Sequence, residues 1–419
     1  VNNYMIDTIR LQIPINDEYV LPIFDPSGSI VGGELIPFGN SSGFLKNLYH
    51  LDGVRVASGE IEFNDDGTVT AHKLSVPFQS IPSSNSTLAF CLYKGGSNYW
   101  PFIEINASAA KLIQGHNAFG SDDLDLCAMS MLSIFFGHFG DDFFDTSKIE
   151  VAQIDITYSA HVTSDFVARQ VIDCLKHVNN GQVRSTGSYD TSAMFNAGSK
   201  HCVRLVYLKQ AETLNQIQEL TKKIKNGNGA HYQKQLDALQ SETVQEFIKK
   251  SVRFEAKIKK KWMHTRGIPT NLLELISYLK NTDKINQMWL EAFKPILDSL
   301  KGETMNIYDD NEVLECLKAN FTTYNTNKPN HSKPLRLFRF FRSLKNEGFA
   351  NVKETTPART FYRLLSDLTK VVSKAALQNI VSGMESNIIP LFKVVNIDFN
   401  NQLPANYVEP EFNKLRLVV

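Results

Sequence analysis

The run Val252-Arg-Phe-Glu-Ala-Lys-Ile-Lys259 constrains the fold more than any other stretch, because apolar and charged residues alternate through it without a break. A strand sends successive side chains to opposite faces. Val252, Phe254, Ala256 and Ile258 therefore face a core, while Arg253, Glu255, Lys257 and Lys259 line the other side of a sheet. One carboxylate flanked by cations suits a phosphate backbone held with a divalent metal, since the cations neutralise the strand and a hard oxygen ligand holds magnesium. It equally suits a solvated strand face with cross-strand ion pairs.

Two other strands carry the same theme. Val151-Ala-Gln-Ile-Asp-Ile-Thr-Tyr-Ser159 puts Gln153, Asp155, Thr157 and Ser159 on one side. Asp155 stands mid-strand, where aspartate is disfavoured unless it has a task. Phe102-Ile-Glu-Ile-Asn106 sets Glu104 and Asn106 between apolar neighbours. A fourth strand, His201-Cys-Val-Arg-Leu-Val-Tyr-Leu-Lys209, gives way to helical spacing at Gln210, so Tyr207 and Lys209 share one face at a strand-to-helix junction. Tyr207 is the candidate nucleophile and Lys209 its supporting cation; the plainer alternative is a packing tyrosine with its hydroxyl at a wet edge. A phenol with a pKa near ~10 needs a base, a cation or a metal-polarised phosphate to attack at neutral pH. If the polar faces converge with Tyr207, they form a site for metal-assisted transesterification.

The rest of the chain reads as α+β, a mainly antiparallel sheet with packed helices followed by a mainly helical C-terminal part. Strand signals cover residues 6–14, 54–64, 68–74, 87–94, 99–106, 149–159, 201–209 and 251–259, with a Gly-, Ser-, Pro- and Asn-rich loop up to about Gly43. Helices are expected from Ser121-Asp-Asp-Leu, over 164–177, 210–225 and 231–250, and almost throughout from Gly267, apart from a strand-like stretch at 392–399. A soft boundary falls between Gly267 and Met305, which divides the chain into residues 1–266, a helical connection 267–304 and a C-terminal unit 305–419. In the last unit, Lys333-Pro-Leu-Arg-Leu-Phe-Arg-Phe-Phe-Arg-Ser-Leu-Lys345 interleaves cations and aromatics at helical spacing. Arg336, Arg339 and Arg342 there suit a DNA-facing helix or a core helix with snorkelling arginines. Helices opening at Thr356 and Ser373 suit a helix-turn-helix or an ordinary helix pair.

Composition narrows the class. The chain has 419 residues, 42% of them hydrophobic, which is enough for two or three domains. Lysine plus arginine equals aspartate plus glutamate at 44 each, so binding to a polyanion must come from local clustering. The five cysteines are scattered and form no Cys-x-x-Cys pair, against a disulfide framework or a zinc knuckle and in favour of a reducing cytosol. No charged-then-apolar leader and no bilayer-length apolar run is visible, so neither export nor membrane insertion is expected. The absence of a Gly-x-x-x-x-Gly-Lys loop argues against an ATP-driven helicase.

Five blocks, in order, resemble the replication initiators of filamentous bacteriophages, the gene II protein family. They are Ala107-Ser-Ala-Ala-Lys-Leu-Ile-Gln-Gly-His-Asn-Ala-Phe-Gly120, Ile154-Asp-Ile-Thr, Val206-Tyr-Leu-Lys209, the run 252–259, and Met305-Asn-Ile-Tyr-Asp-Asp310. The resemblance spans nearly the whole chain. It implies an endonuclease that nicks the plus strand at the origin of supercoiled replicative-form DNA through a 5′-phosphotyrosine on Tyr207, then cleaves and circularises the displaced single strand. Implied with it are magnesium or manganese, the host replicative helicase and DNA polymerase as partners, self-association on the origin, and action in the host bacterial cytoplasm. A shorter in-frame product, the X protein, would begin at Met305. Asp155, Glu255, Glu104 and His116 are the candidate metal ligands, with His116 equally suited to ordering its loop; Arg253, Lys257, Lys259 and the three C-terminal arginines are the candidate DNA contacts. Two departures stand out: no pair of histidines is separated by a single residue, and Gln153 precedes the Ile-Asp pair where relatives tend to carry arginine. The rival from another class is a non-enzymatic origin-binding protein in which Tyr207 is structural.

Overall fold

The alternating strands do join one sheet. The computed structural model describes residues 4–36, 61–63, 69–71, 79–93, 95–162, 164–176, 185–226, 230–280, 283–300, 310–325, 328–372, 377 and 402–410. Nine strands make an antiparallel sheet: β1 (Met5–Pro14), β2 (Gln79–Pro82), β3 (Thr87–Tyr93), β4 (Phe102–Ser108), β5 (Glu150–His161), β6 (Ser185–Tyr189), β7 (Ser192–Phe195), β8 (Cys202–Leu208) and β9 (Ser251–Lys259). Their spatial order is β6-β7-β8-β9-β5-β1-β4-β3-β2.

Register decides which side chains share a face. Across β5 and β9, Asp155 lies opposite Lys257, Thr157 opposite Glu255 and Ser159 opposite Arg253. Across β8 and β9, Leu205 is opposite Glu255 and Tyr207 opposite Arg253. Arg10 of β1 has Gln153 on one side and Asn106 on the other, which extends the same polar face into β4. The other face is apolar and belongs to one continuous core. Helices α2 (Leu124–Phe139), α3 (Asp165–Lys176), α8 (Leu272–Leu279) and α9 (Asp283–Leu300) contribute to that core. In α9, Trp289 stacks on Phe293 with centroids 4.7 Å apart and meets Tyr158 at 5.2 Å, and burial of each such ring contributes about 1.5–3 kcal/mol. The two helices of the expected connection over 267–304 thus pack into the core of the sheet.

One end of the polar face is covered. Ser108, whose side-chain oxygen accepts from the Lys111 amide, caps α1 (Ala109–Gln114). Gly115 ends that helix at φ +82°, and a Cβ there would stand 3.1 Å from that of Ala238. The loop that follows packs Ala118 and Phe119 against Val244 and Ile248 of α6 (Glu242–Ile248), which follows α4 (Lys209–Lys225) and α5 (Ala230–Gln240). The expected helix over 231–250 is α5 and α6, divided at Ser241. α7 (Lys260–His264) continues directly from β9.

Two hairpins escape the sequence pattern. Val20–Phe24 pairs with Ile30–Leu35 inside the expected loop, where Pro22, Gly32 and Gly33 break the alternation. β6 and β7 are rich in Ser, Thr and Gly, yet extend the sheet beyond β8. Of the strands expected over 54–64 and 68–74, Ile61–Phe63 and Val69–Ala71 are described and pair with each other. The boundary methionine Met305, the strand-like stretch 392–399 and most of the helix opening at Ser373 lie outside the described residues.

A second core brings together α10 (Asp310–Phe321), α11 (Ser332–Glu347), α12 (Phe349–Thr355) and α13 (Ala358–Leu368) around Val313, Leu337, Phe341, Phe361 and Leu368. Residues 402–410, counted with this unit by sequence, instead pack Leu403 and Tyr407 beside Phe119 of the sheet-bearing body. No described helix is long and apolar enough to cross a membrane.

Candidate active site

Tyr207 ends the exposed edge of the alternation in β8 and is half-buried. Its hydroxyl donates to Glu255 Oε2 at 3.0 Å. The other Glu255 oxygen meets Lys257 Nζ at 2.7 Å, and the same ammonium reaches Asp155 Oδ2 at 2.9 Å. Asp155 Oδ1 accepts from Gln153 Nε2 at 2.8 Å. A phenol, two carboxylates, an ammonium and an amide therefore form one unbroken row across β8, β9 and β5.

Burial sets the electrostatics of the row. Asp155 is fully buried, which pushes its pKa up to about 7; Lys257 opposes the shift and the Glu255 carboxylate adds to it. Burial works against the charge of Lys257, but Glu255 and Asp155 outweigh it and hold its pKa above the ordinary lysine value. Tyr207 lies well above the usual phenol value, first through burial and then through Glu255. The resting phenol is thus protonated and already points its proton at a carboxylate.

Lys209 does not stand beside the phenol oxygen. The strand stops at Leu208 and Lys209 opens α4, so the alternation ends one residue before it. Its ammonium is buried, bonds Asn117 Oδ1 at 2.8 Å and Glu212 Oε2 at 2.7 Å, and lies 6.0 Å from the centroid of the Tyr207 ring. Burial lowers its pKa to about 8, with Glu212 opposing and Arg253 reinforcing the shift.

Arg253 corrects another expectation. It is 1% exposed, and its guanidinium donates to Asn117 O at 2.7 Å, to Ala118 O and to Ser159 Oγ at 3.1 Å. Strand alternation places it on the polar face, but the 117–118 loop covers it and takes up its guanidinium. Lys257 is likewise engaged between its carboxylates, whereas Lys259 is half-buried and held by Ser199 O at 2.8 Å. Arg336, Arg339 and Arg342 lie on α11, on the side away from Leu337 and Phe341; all three are exposed, and Arg342 lies 3.6 Å from Asp310.

The four expected metal ligands do not gather. Glu104 bonds Gln12 Nε2 at 3.0 Å and lies 3.5 Å from Arg10, away from Asp155 in sheet order. His116 accepts the Ala118 amide at 3.3 Å and stacks edge-on against Phe119; burial, with Lys209 and Arg253 adding, lowers its pKa to about 4. It orders its loop. Among the described residues no three His, Cys, Asp or Glu side chains approach closely enough to hold a metal by themselves. Asp155 and Glu255 remain, and two carboxylates suffice for magnesium when waters and substrate phosphates complete the shell.

Sequence reading missed Asp7 and Asn117. Asp7 is 4% exposed and accepts from Ser108 Oγ at 2.6 Å and Asn117 Nδ2 at 3.0 Å. Burial opposes its charge, but Lys209 and further cations and the Ser108 bond outweigh it and depress its pKa. The clue that singled out Asp155, an aspartate inside a strand, is present at Asp7 too.

Sequence comparisons cover the chain almost from end to end. Residues 5–283 match the family model for the N-terminal region of the phage replication-associated protein, the gene II product, and residues 324–413 match that for its C-terminal region. The chain is 36% identical to the replication-associated protein of Salmonella phage IKe, over 99% of each chain. It is 34% identical to that of Enterobacteria phage M13, over 97% of this chain and 99% of the relative. The solved rolling circle replication initiator protein from Geobacillus stearothermophilus aligns at 9% identity over 63% of this chain and 76% of that one, with a TM-score of 0.22, too low an overlap to carry the fold. Two family models matched in chain order, together with relatives aligned from end to end, show that this chain belongs to the gene II replication-associated protein family.

Proposed function

We propose that this chain starts rolling-circle replication of a phage genome by nicking one strand of supercoiled origin DNA, and later cleaves and rejoins the displaced single strand. The carrying observation is the Tyr207 hydroxyl donated to Glu255 inside a buried polar row, in a chain of the gene II replication-associated family. Tyr207 Oη attacks the scissile phosphorus as its proton passes to Glu255 Oε2. The new bond is Oη–P and the broken one is P–O3′; the 3′ oxygen leaves and takes a proton from water. The 5′-phosphotyrosine conserves the phosphodiester, so a later 3′-hydroxyl reverses the step and closes a circle.

Asp155 and Glu255 would hold a magnesium or manganese ion jointly with the DNA, and the ion would neutralise charge on the non-bridging phosphate oxygens. Lys257 supplies a cation between the same two carboxylates when DNA is absent. Lys209, with Asn117 and Asp7, fixes the loop beside the tyrosine. Host helicase and polymerase would act on the exposed 3′ end, in the host cytoplasm, and α11 would add backbone contacts through its arginines.

The test is a covalent adduct. Full-length protein incubated with supercoiled origin DNA and magnesium should yield a nucleotide-bearing peptide that maps to Tyr207. Tyr207→Phe should form none while staying folded and bound to DNA. Undiminished nicking by that variant, or an adduct elsewhere, removes Tyr207 from the role; no adduct under any condition favours a binding protein.

A further inference from the structure

The polar row continues past Gln153. On the same face lies a cavity of about 470 Å³, lined by Arg10, Lys200, Lys259, Lys260 and Lys261, with Glu104 as its one carboxylate. In a chain whose 44 cationic and 44 acidic side chains balance, that is a local excess of positive charge. The fold creates it: Arg10 and Lys259 lie opposite Gln153 from the two neighbouring strands, and α7 brings Lys260 and Lys261 to the rim. The cations are positioned, since Ser199 O holds Lys259 at 2.8 Å, Glu150 pairs with Lys260, and Arg10 lies 3.5 Å from Glu104.

Gln153 lines this cavity and also donates to Asp155, so one side chain separates it from the tyrosine row. Lys259 is four residues from Glu255 along β9, a span of roughly 13 Å. The volume suits one or two nucleotides and is far too small for a duplex. Among the described residues no phenylalanine, tyrosine or tryptophan lines it and His264 is its one ring, so bases find little to stack on and charge is the main means of recognition.

We infer that this cavity seats the phosphodiester backbone of single-stranded DNA flanking the scissile phosphate, without regard to base sequence. Its ligand class rests on charge and size, and only its place beside the scissile phosphate rests on the nicking role of Tyr207. Lys200 and Lys261 stand outside the core, so replacing them leaves it intact.

The test uses full-length Tyr207→Phe protein in EDTA and a fluorescein-labelled 16-nucleotide oligothymidine, with binding followed by anisotropy against salt. Each single-strand phosphate contact contributes a slope of about −0.7 in log affinity against log salt. Lys200→Gln/Lys261→Gln in the same background should flatten the plot by roughly 1.4, with an unchanged slope for a 16-base-pair duplex. An unchanged slope on oligothymidine, or a loss confined to the duplex, overturns the inference. Because nicking is not read, a failed nucleophile assignment would leave this result standing. Neutralising single phosphates as methylphosphonates beside the nick should then weaken binding of the Tyr207→Phe protein but not of the lysine-substituted one; equal weakening of both would remove the cavity from contact with the flanking strand.

Discussion

At the scale of single residues, Lys257 is the pivot of the site, since its ammonium is the cation between two buried carboxylates. Lys257→Met leaves Asp155 and Glu255 facing each other uncompensated, at a cost of about 3 kcal/mol or more. Added magnesium should restore part of that loss, because an ion that binds only the folded state stabilises it. Thermal melts should therefore show a larger magnesium-induced rise in Tm for the variant than for the parent; equal rises would mean that the pair holds no divalent ion. Asp155 adds a pH signature. Its folded pKa of about 7 lies above the ordinary aspartate value of 3.8. The stability it contributes is thus fully present below 3.8 and is lost as pH rises through 7. Magnesium-dependent nicking should run the opposite way, rising through about pH 7 as the carboxylate ionises. Asp155→Asn should lose nicking and also lose this part of the fall in Tm between pH 3.8 and about 7 in calorimetry.

At the scale of elements, alternation made much of the site legible. The runs 252–259 and 151–159 announced a two-sided sheet, and a period of two is enough to put Asp155, Glu255 and Lys257 on the same side as Tyr207. What alternation cannot reveal is what later covers a polar face. Arg253 reads like Lys259, but the carbonyls of Asn117 and Ala118, 136 and 135 residues earlier in the chain, close over it. Lys209 was misplaced for a different reason: the helix begins one residue sooner than its hydrophobic spacing suggests. Hairpins such as β6–β7 stayed hidden because Ser, Thr and Gly leave no hydrophobic period to read. The same covering makes a prediction. Arg253→Ala would leave two carbonyls and the Ser159 hydroxyl without their donor, and should lower folding stability by about 3 kcal/mol or more in urea titrations. Its DNA affinity should keep the parent's salt slope, since the guanidinium meets no phosphate. A flattened slope in a fully stable variant would return Arg253 to the DNA surface.

At the scale of the molecule, the two hydrophobic cores give the chain a helical unit over 310–372 beside the sheet-bearing body, but residues 402–410 bind that body and not the helices that precede them. Their attachment is specific. The Gln402 side chain accepts from the Ser159 amide at 2.7 Å and donates to the Ser159 carbonyl at 2.9 Å, completing backbone bonds of β5. Tyr407 stands edge-on to Phe119 at 5.7 Å, and Glu409 accepts from Ser121 Oγ. The segment therefore joins β5 to the C-terminal end of the loop that Arg253, Lys209 and Asp7 hold beside the tyrosine. Ending the chain at residue 400 should leave the helical unit intact, as α10 to α13 share no core residue with the segment. The sheet-bearing body should lose stability, by about 1 kcal/mol for each Gln402 hydrogen bond plus the burial of Leu403 and Tyr407. Nicking should fall with it, because Asn117 and Ala118 would no longer be pinned against Arg253 and Lys209. The measurement is hydrogen exchange of the 115–121 amides, read beside melting and nicking rates. Faster exchange confined to that loop, with slower nicking, is the expected outcome; a truncated chain whose loop stays protected and whose nicking is undiminished would mean that the segment only decorates the body.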